Sequence, residues 1–539
     1  MSNASSAVAR GARWRILINT GIVMLGALLS RVLGLFRDAI IFNQFGTTPE
    51  IGVFRATFTI LDILYLVIIG GALGSALIPV FSRLLEAQAE ERAWEVANTV
   101  LTTAFLGFVL LAVVVGIFAR PVLAVSVARG YADQPELLDL AVHLLRLMLL
   151  QPLLLGLGGL MMALLQSFER FTLPAVAFNV YNLTIIAAAW LFAPTYRIDA
   201  LAWGVVGGAL LYFLVQLPGV VQAGLRFRPS LHWRMPEVVR VGQLLAPRLL
   251  GQSALQLNII VMYSLISYLG SSAQAANSAA YQLLMLPHGI LAVSLGTVIF
   301  PRLSRFFAAN RLDDVRELAF QMLRLVVWLT VPVAIVLAVL NVPLIRLLFQ
   351  RGLFDNESLQ LTSRALLFYA PGVIGLAGAE IVIRTFYAME DTRTPVVVGV
   401  LAIILNALLA YTVIIFHPDI GLVVLAYSFT NLLEFGMLFV VLARRLGGIR
   451  NAAAARSVIA LGVGSLALLL TLISSVWLAQ GIVPGVTLNS AYGQGYDFFV
   501  LAAWFGVVGL LGIGIYLAMG IMLRAPEVRE LRALLRRKA

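Results

Sequence analysis

The chain runs to 539 residues, 61% of them hydrophobic and only 12% charged, with a mean hydropathy of +0.96 and a net charge of +12. Charged residues reach about half their usual share, too few to wrap a soluble core of this size, and the basic residues stand between long apolar runs, which argues against a nucleic-acid-binding module. With no cysteine and only 4 histidines, disulfides and thiolate metal centres are excluded and a histidine metal cluster is not expected.

Crossing about 30 Å of hydrocarbon takes roughly 20 mostly apolar residues. Apolar runs bounded by charge, Gly or Pro predict spans at 16–44, 52–82, 94–119, 138–166, 172–193, 200–224 and 240–270. They continue at 275–303, 318–341, 360–388, 395–416, 420–442, 455–479 and 498–523. The first run is too long for a removed leader and lacks a small-residue cleavage site, so it is taken as span 1. The total is 14 transmembrane helices, an even number, which places both termini on one side. The arginines follow the same alternation. Arg10, Arg13, Arg15, Arg83, Arg92, Arg170, Arg226, Arg228, Arg234 and Arg240 fall on the N-terminal side, as do Arg302, Arg305, Arg311, Arg316, Arg393, Arg444, Arg445 and the basic tail. The opposite loops hold only Arg120, Arg129, Arg197, Arg346 and Arg351. Positive charge marks cytoplasmic loops, so both termini are expected in the cytoplasm.

Residues 73–83 read LGSALIPVFSR and residues 295–305 read LGTVIFPRLSR, with Leu73/Leu295, Gly74/Gly296, Pro79/Pro301, Ser82/Ser304 and Arg83/Arg305 in register. Ser30-Arg31-Val32-Leu33-Gly34 is echoed more weakly at 247–251. Both main copies end a span on the same side, as parallel repeats do. The expected fold is therefore an all-α integral membrane protein built from two parallel six-helix lobes, 1–225 and 226–445. Residues 446–539 would add two C-terminal helices and a basic cytoplasmic tail.

Ionisable side chains inside a span cost at least a few kcal/mol and need a reason. Span 1 carries Arg31, Arg37 and Asp38; span 2 carries Arg55. Arg31 and Asp38 lie two helical turns apart and share a face. Arginine suits a phosphate-binding wall because its planar fork binds bidentately; the alternative is a structural Arg–Asp lock. The second half offers Arg248, His288, Arg364, Glu380, Arg384, Asn406 and Glu434. Arg364 and Arg384 are close enough to helix ends to snorkel, and Glu380 with Arg384 forms a self-neutralising i,i+4 pair. His288, His143 and Arg146 are open between proton handling and packing. The unpaired cations are concentrated in the first half, so an anion site is expected there.

Three strings carry a family resemblance. Span 1 has Ser30-Arg31-Val32-Leu33-Gly34 followed by Arg37-Asp38-Ala39. The loop after span 9 has Pro343-Leu344-Ile345-Arg346-Leu347-Leu348-Phe349-Gln350-Arg351-Gly352, then Phe354-Asp355. The junction before span 11 has Phe386-Tyr387-Ala388-Met389-Glu390-Asp391-Thr392-Arg393-Thr394-Pro395. From about residue 20 to 445 the chain resembles the lipid II flippases (MurJ/MviN) of the multidrug/oligosaccharide-lipid/polysaccharide exporter superfamily. It departs from the family pattern where Tyr65, Leu66 and Gly70 stand for two arginines and a glutamate. Tyr281-Gln282-Leu283 stands for Asp-Arg-Leu, and Met262 for an acidic residue.

The resemblance implies a non-enzymatic transporter of the bacterial inner membrane, acting as a monomer without cofactor or metal. Its implied partners are membrane lipids and an undecaprenyl-diphosphate-linked muropeptide, lipid II. The headgroup would be held by Arg31, Arg37, Asp38 and Arg55, with Tyr65 and Gln282 at the positions of lost family charges and Arg248 as a compensating cation. Rocking of two lobes would carry it outward by alternating access. An inside-negative potential favours outward movement of an anion by roughly 2.3 kcal/mol per charge per 100 mV. Three alternatives stay open: another polyprenyl-linked glycan as cargo, cation-coupled drug export, and a non-transporting scaffold for wall synthesis.

Overall fold

A computed structural model describes residues 25–26, 28–68, 72–131, 133–448, 452–493 and 495–530, and among them it is helical with no strand. The chain forms two compact units, 1–267 and 268–539.

The first unit contains α1 (28–45) and α2 (Pro49–Ile68), then α3 (Ala72–Glu86) and α4 (Glu90–Ile117). Next come α5 (Ala119–Val125), α6 (Pro135–Met148), α7 (Leu150–Ser167), α8 (Thr172–Leu191), α9 (Ala193–Tyr196), α10 (Ile198–Gln222) and α11 (Pro236–Ile266). Helix starts follow local chemistry. Glu90 and Glu91 occupy the first turn of α4, where the positive end of the helix dipole favours them, and proline opens α6 and α11, where its missing N–H costs nothing. The sequence boundary at 225/226 falls in the loop before α11, and α11 packs on α2, α3 and α4. Asn98 of α4 fixes that loop by donating to the Arg226 carbonyl and accepting from the Arg228 N–H, at 3.1 and 3.3 Å. The core of this unit gathers Leu77, Phe81, Val96, Leu160, Leu164 and Val220 from four helices, α3, α4, α7 and α10.

The second unit begins with α12 (Ser271–Pro287), which passes through a π-helical turn, His288–Val293, into α13 (Ser294–Ala308). It continues through α14 (Leu312–Val339), α15 (Asn341–Leu348), α16 (Asn356–Tyr369), α17 (Gly372–Ala388), α18 (Arg393–Phe416), α19 (Ile420–Arg445), α20 (Ala452–Ala479) and α21 (Tyr496–Met522). Asp355 and Asp419 cap α16 and α19 by accepting from the N–H of Ser358 and Leu422, at 2.9 and 3.0 Å. Helices α17 and α19 approach closely at Gly375, where a Cβ would lie 2.6 Å from the Asn431–Leu432 backbone. The last two helices join this unit through Tyr516, whose hydroxyl donates to the Trp328 carbonyl of α14 at 2.7 Å.

Ten helices among the described residues are long and apolar enough to cross a membrane, or eleven counting α16 with α17, which bend by 44° beside Pro371. This is fewer than the 14 predicted spans. Part of span 1 and Gly70 and Gly71 of span 2 lie outside the described residues, while α11 is diluted by Glu237, Arg240 and Arg248. The Arg248 side chain likewise lies outside them. The repeat has a matching local form in each unit: Pro79 sits inside α3 with Arg83 in its last turn, and Pro301 sits inside α13 with Arg305 in its last turn.

Candidate functional site

Within the first unit, α1, α2 and α8 converge on one carboxylate. Asp38 is fully buried, and its Oδ1 accepts from Arg37 Nε at 3.1 Å and from Arg55 Nη2 at 2.9 Å. Arg37 reaches further, donating from Nη1 to Asn182 Oδ1 at 3.1 Å. The Asn182 amide donates in turn to Ser30 Oγ at 3.2 Å and to the Phe178 carbonyl at 3.1 Å. Arg55 lies over the Phe42 ring, 5.4 Å from its centroid, so one face of its guanidinium is screened from neighbours. Asp38 Oδ2 is buried without a hydrogen-bond partner. One carboxylate thus serves two cations, and the group keeps a net positive charge with guanidinium N–H donors to spare.

A second acid completes the electrostatics. Asp62 lies two turns along α2 from Arg55, is exposed, and acts electrostatically on both Arg37 and Arg55. Tyr181 of α8 feels Arg37, Asp62 and Tyr65 together. Asp38 holds the arginines by direct ion pairs, and Asp62 stands exposed further along α2.

Of the residues singled out from sequence, Arg37, Asp38 and Arg55 meet directly, and Tyr65 is partly buried against the core of the same unit. Arg31 is exposed and has no ion pair among the described residues. Gln282 sits in α12 of the second unit, partly buried, next to Tyr281, whose ring lies 5.8 Å from Tyr369 and 6.3 Å from Tyr427. His143 pairs with Asp199 in the first turn of α10 at 3.0 Å, Arg364 with the α19 cap Asp419 at 2.7 Å, and Glu380 pairs with Arg384 as expected. Met262 is buried and apolar. Asp62 and Asn182 were not anticipated. The seven-residue spacing that linked Arg31 to Asp38 also links Arg55 to Asp62, so Asp62 was findable; Asn182 had no signal beyond being polar in an apolar span.

Comparison with known proteins places the chain in a family. The model of the lipid II flippase MurJ family matches residues 41–491, most of the chain. The chain belongs to that family. A probable lipid II flippase MurJ of Buchnera aphidicola subsp. Acyrthosiphon pisum (strain APS) is 30% identical over 423 residues, covering 77% of this chain and 81% of that protein. The lipid II flippase MurJ of Burkholderia cenocepacia is 31% identical over 400 residues, covering 73% and 77%. Among solved structures, a lipid II flippase MurJ in an inward closed conformation superposes with a TM-score of 0.75 at 21% identity, covering 93% of this chain and 98% of that one. An inward-facing multidrug resistance MATE family transporter gives 0.65 at 13% identity, covering 79% and 98%. These likenesses show the fold.

Proposed function

We propose that this protein is a lipid II flippase, moving an undecaprenyl-diphosphate-linked sugar from the inner to the outer leaflet by alternating access. The observation that carries the reading is the shared Asp38 carboxylate: it holds Arg37 and Arg55 side by side with donors left over, in a chain matched across most of its length by the flippase family. A diphosphate is too polar to enter hydrocarbon unaided, and two pre-oriented guanidinium groups replace part of its hydration. Arg31, at the exposed end of the same helix, would meet the headgroup first, and Tyr65 would contact it through its hydroxyl; Gln282 is a proposed contact in its own unit. Asp62 would give way as the phosphate arrives.

The same reading takes 14 spans with both termini in the cytoplasm of an inner-membrane protein, a monomer working without a cofactor, driven by the membrane potential. The placement of Arg residues supports the orientation. Reconstituted protein should flip fluorescent lipid II, and Arg37→Ala should reduce the rate at least tenfold. Unchanged flipping by Arg37→Ala would overturn the site, and no flipping by the parent protein would overturn the function. Complementation of a flippase-depleted strain separates this reading from a scaffold role, which would not restore growth.

A further inference from the structure

The Pro343–Asp355 string was singled out from sequence, yet the arginine cluster of the first unit does not use it. In the structure its Arg346 is almost fully buried at the end of α15 and is spent on architecture. Nη1 donates to the Ser490 carbonyl at 3.1 Å, Nη2 to the Leu488 carbonyl at 3.2 Å, and the guanidinium lies 5.2 Å from the Tyr492 ring centroid. The segment it pins is itself closed by the Gly485 N–H donating to the Ala491 carbonyl and by a Thr487–Ser490 turn. The pinned segment and the Gln350–Asn356 loop line an open cleft of about 630 Å³, the size of a small-molecule site. Its lining lies in the chain between α15 and α16 and just before α21.

The walls of this cavity are chemically mixed. Gln350 donates to Asn356 Oδ1 at 2.8 Å, but its Oε1 is buried without a partner. Arg351 is exposed, its guanidinium 4.7 Å from the Phe498 ring centroid. Asp355 has one carboxylate oxygen committed to the α16 cap, and Tyr492 contributes an aromatic ring. Amides, a carboxylate and a cation at close quarters beside a ring match a sugar, which presents hydroxyl donors and acceptors on its edge and C–H groups on its faces. Arg351 adds a partner for a carboxylate.

We propose that this cavity is a saccharide site that binds a carboxylate-bearing sugar headgroup on the far side of the membrane from the termini. The proposal rests on the flippase reading for its choice of ligand, and it gives the Gln350-Arg351-Gly352 loop a role separate from Arg37. The full-length protein in detergent, titrated with muramyl dipeptide and followed by saturation-transfer NMR and calorimetry, tests it. The expected result is saturable binding, weakened at least tenfold by Gln350→Ala and by Arg351→Ala and abolished by Asn489→Trp, which fills the cavity from an exposed position and leaves Arg346 in place. Binding should persist in Arg37→Ala. Absence of saturable binding to the parent protein, equal binding by Asn489→Trp, or complete competition by inorganic phosphate would overturn the proposal, the last by marking a plain anion patch. Because this assay reads soluble headgroup and the flipping assay reads transport, loss of either leaves the other interpretable.

Discussion

Asp38 as a shared counter-ion predicts an unequal ranking among three conservative variants. Its Oδ1 stands 3.1 Å from Arg37 Nε and 2.9 Å from Arg55 Nη2. With an effective dielectric of about 20, each contact carries roughly 5–6 kcal/mol of Coulomb attraction, most of which offsets desolvation. Asp38→Asn leaves two neighbouring guanidinium groups facing a neutral amide and is expected to cost about 3–5 kcal/mol, the usual range for orphaning a buried charge. Arg55→Gln leaves Asp38 paired with Arg37 and removes one charge-assisted hydrogen bond, about 1.5–3 kcal/mol. Arg37→Gln removes the same and also takes the donor from Asn182 Oδ1. In the double variant Asp38→Asn/Arg55→Gln a single cation is left, so its cost should fall below the sum of the two by at least about 1 kcal/mol. Denaturant unfolding in detergent, with retention on size exclusion as the fold control, reads all four. Strict additivity, or a milder effect of Asp38→Asn than of Arg55→Gln, would refute the shared-carboxylate account.

Other outcomes follow from single contacts. Gly375→Ala drives a methyl to within 2.6 Å of the Asn431–Leu432 backbone, so α17 and α19 must separate, at about 1–3 kcal/mol in unfolding free energy. Burial alone would raise the Asp391 carboxyl, but the Thr394 hydroxyl and N–H and the Arg445 guanidinium outweigh it and hold its pKa below the ordinary value. Its stabilising contribution is therefore complete above about pH 4 and lost as pH falls through the depressed value. Asp391→Asn should destabilise at pH 7, with the difference shrinking in acid. Glu530, on the C-terminal segment beside Arg324 and Glu527, is pushed up to about 7 by burial ahead of the opposing effect of Arg324. The sign is opposite: stability is lost as pH rises from about 4 through 7, so Glu530→Gln should flatten that slope and gain most at pH 8. The natural absence of cysteine permits single-cysteine labelling without background. Asn310→Cys should react with an impermeant maleimide only from the cytoplasmic side and Asn489→Cys only from outside, and the reverse would overturn the orientation.

How far the sequence reached is visible in particular residues. Apolar runs of span length located α4, α8, α10, α14 and α18–α21 to within a few residues, because hydrocarbon imposes its demand on each segment independently. Pro371 was legible as an interruption, and the bend lies there. Arg37 and Asp38 announced themselves by charge. Their third partner, Arg55, was legible as a charge but not as a contact, and Asn182 lies 145 residues from Arg37, beyond the reach of any periodicity. The same limit hid the role of Arg346, whose carbonyl partners lie 142 and 144 residues away.

The sequence by itself therefore determined that this is a helical membrane protein, where most of its helices run, and which charges are costly enough to need explaining. Only the tertiary structure decided which of those charges meet: Arg37 and Arg55 share one carboxylate, Arg31 stands apart, and Arg346 serves a loop rather than a ligand. Burial of apolar surface is a property of each segment, whereas the pairing of charges depends on which helices come to lie side by side.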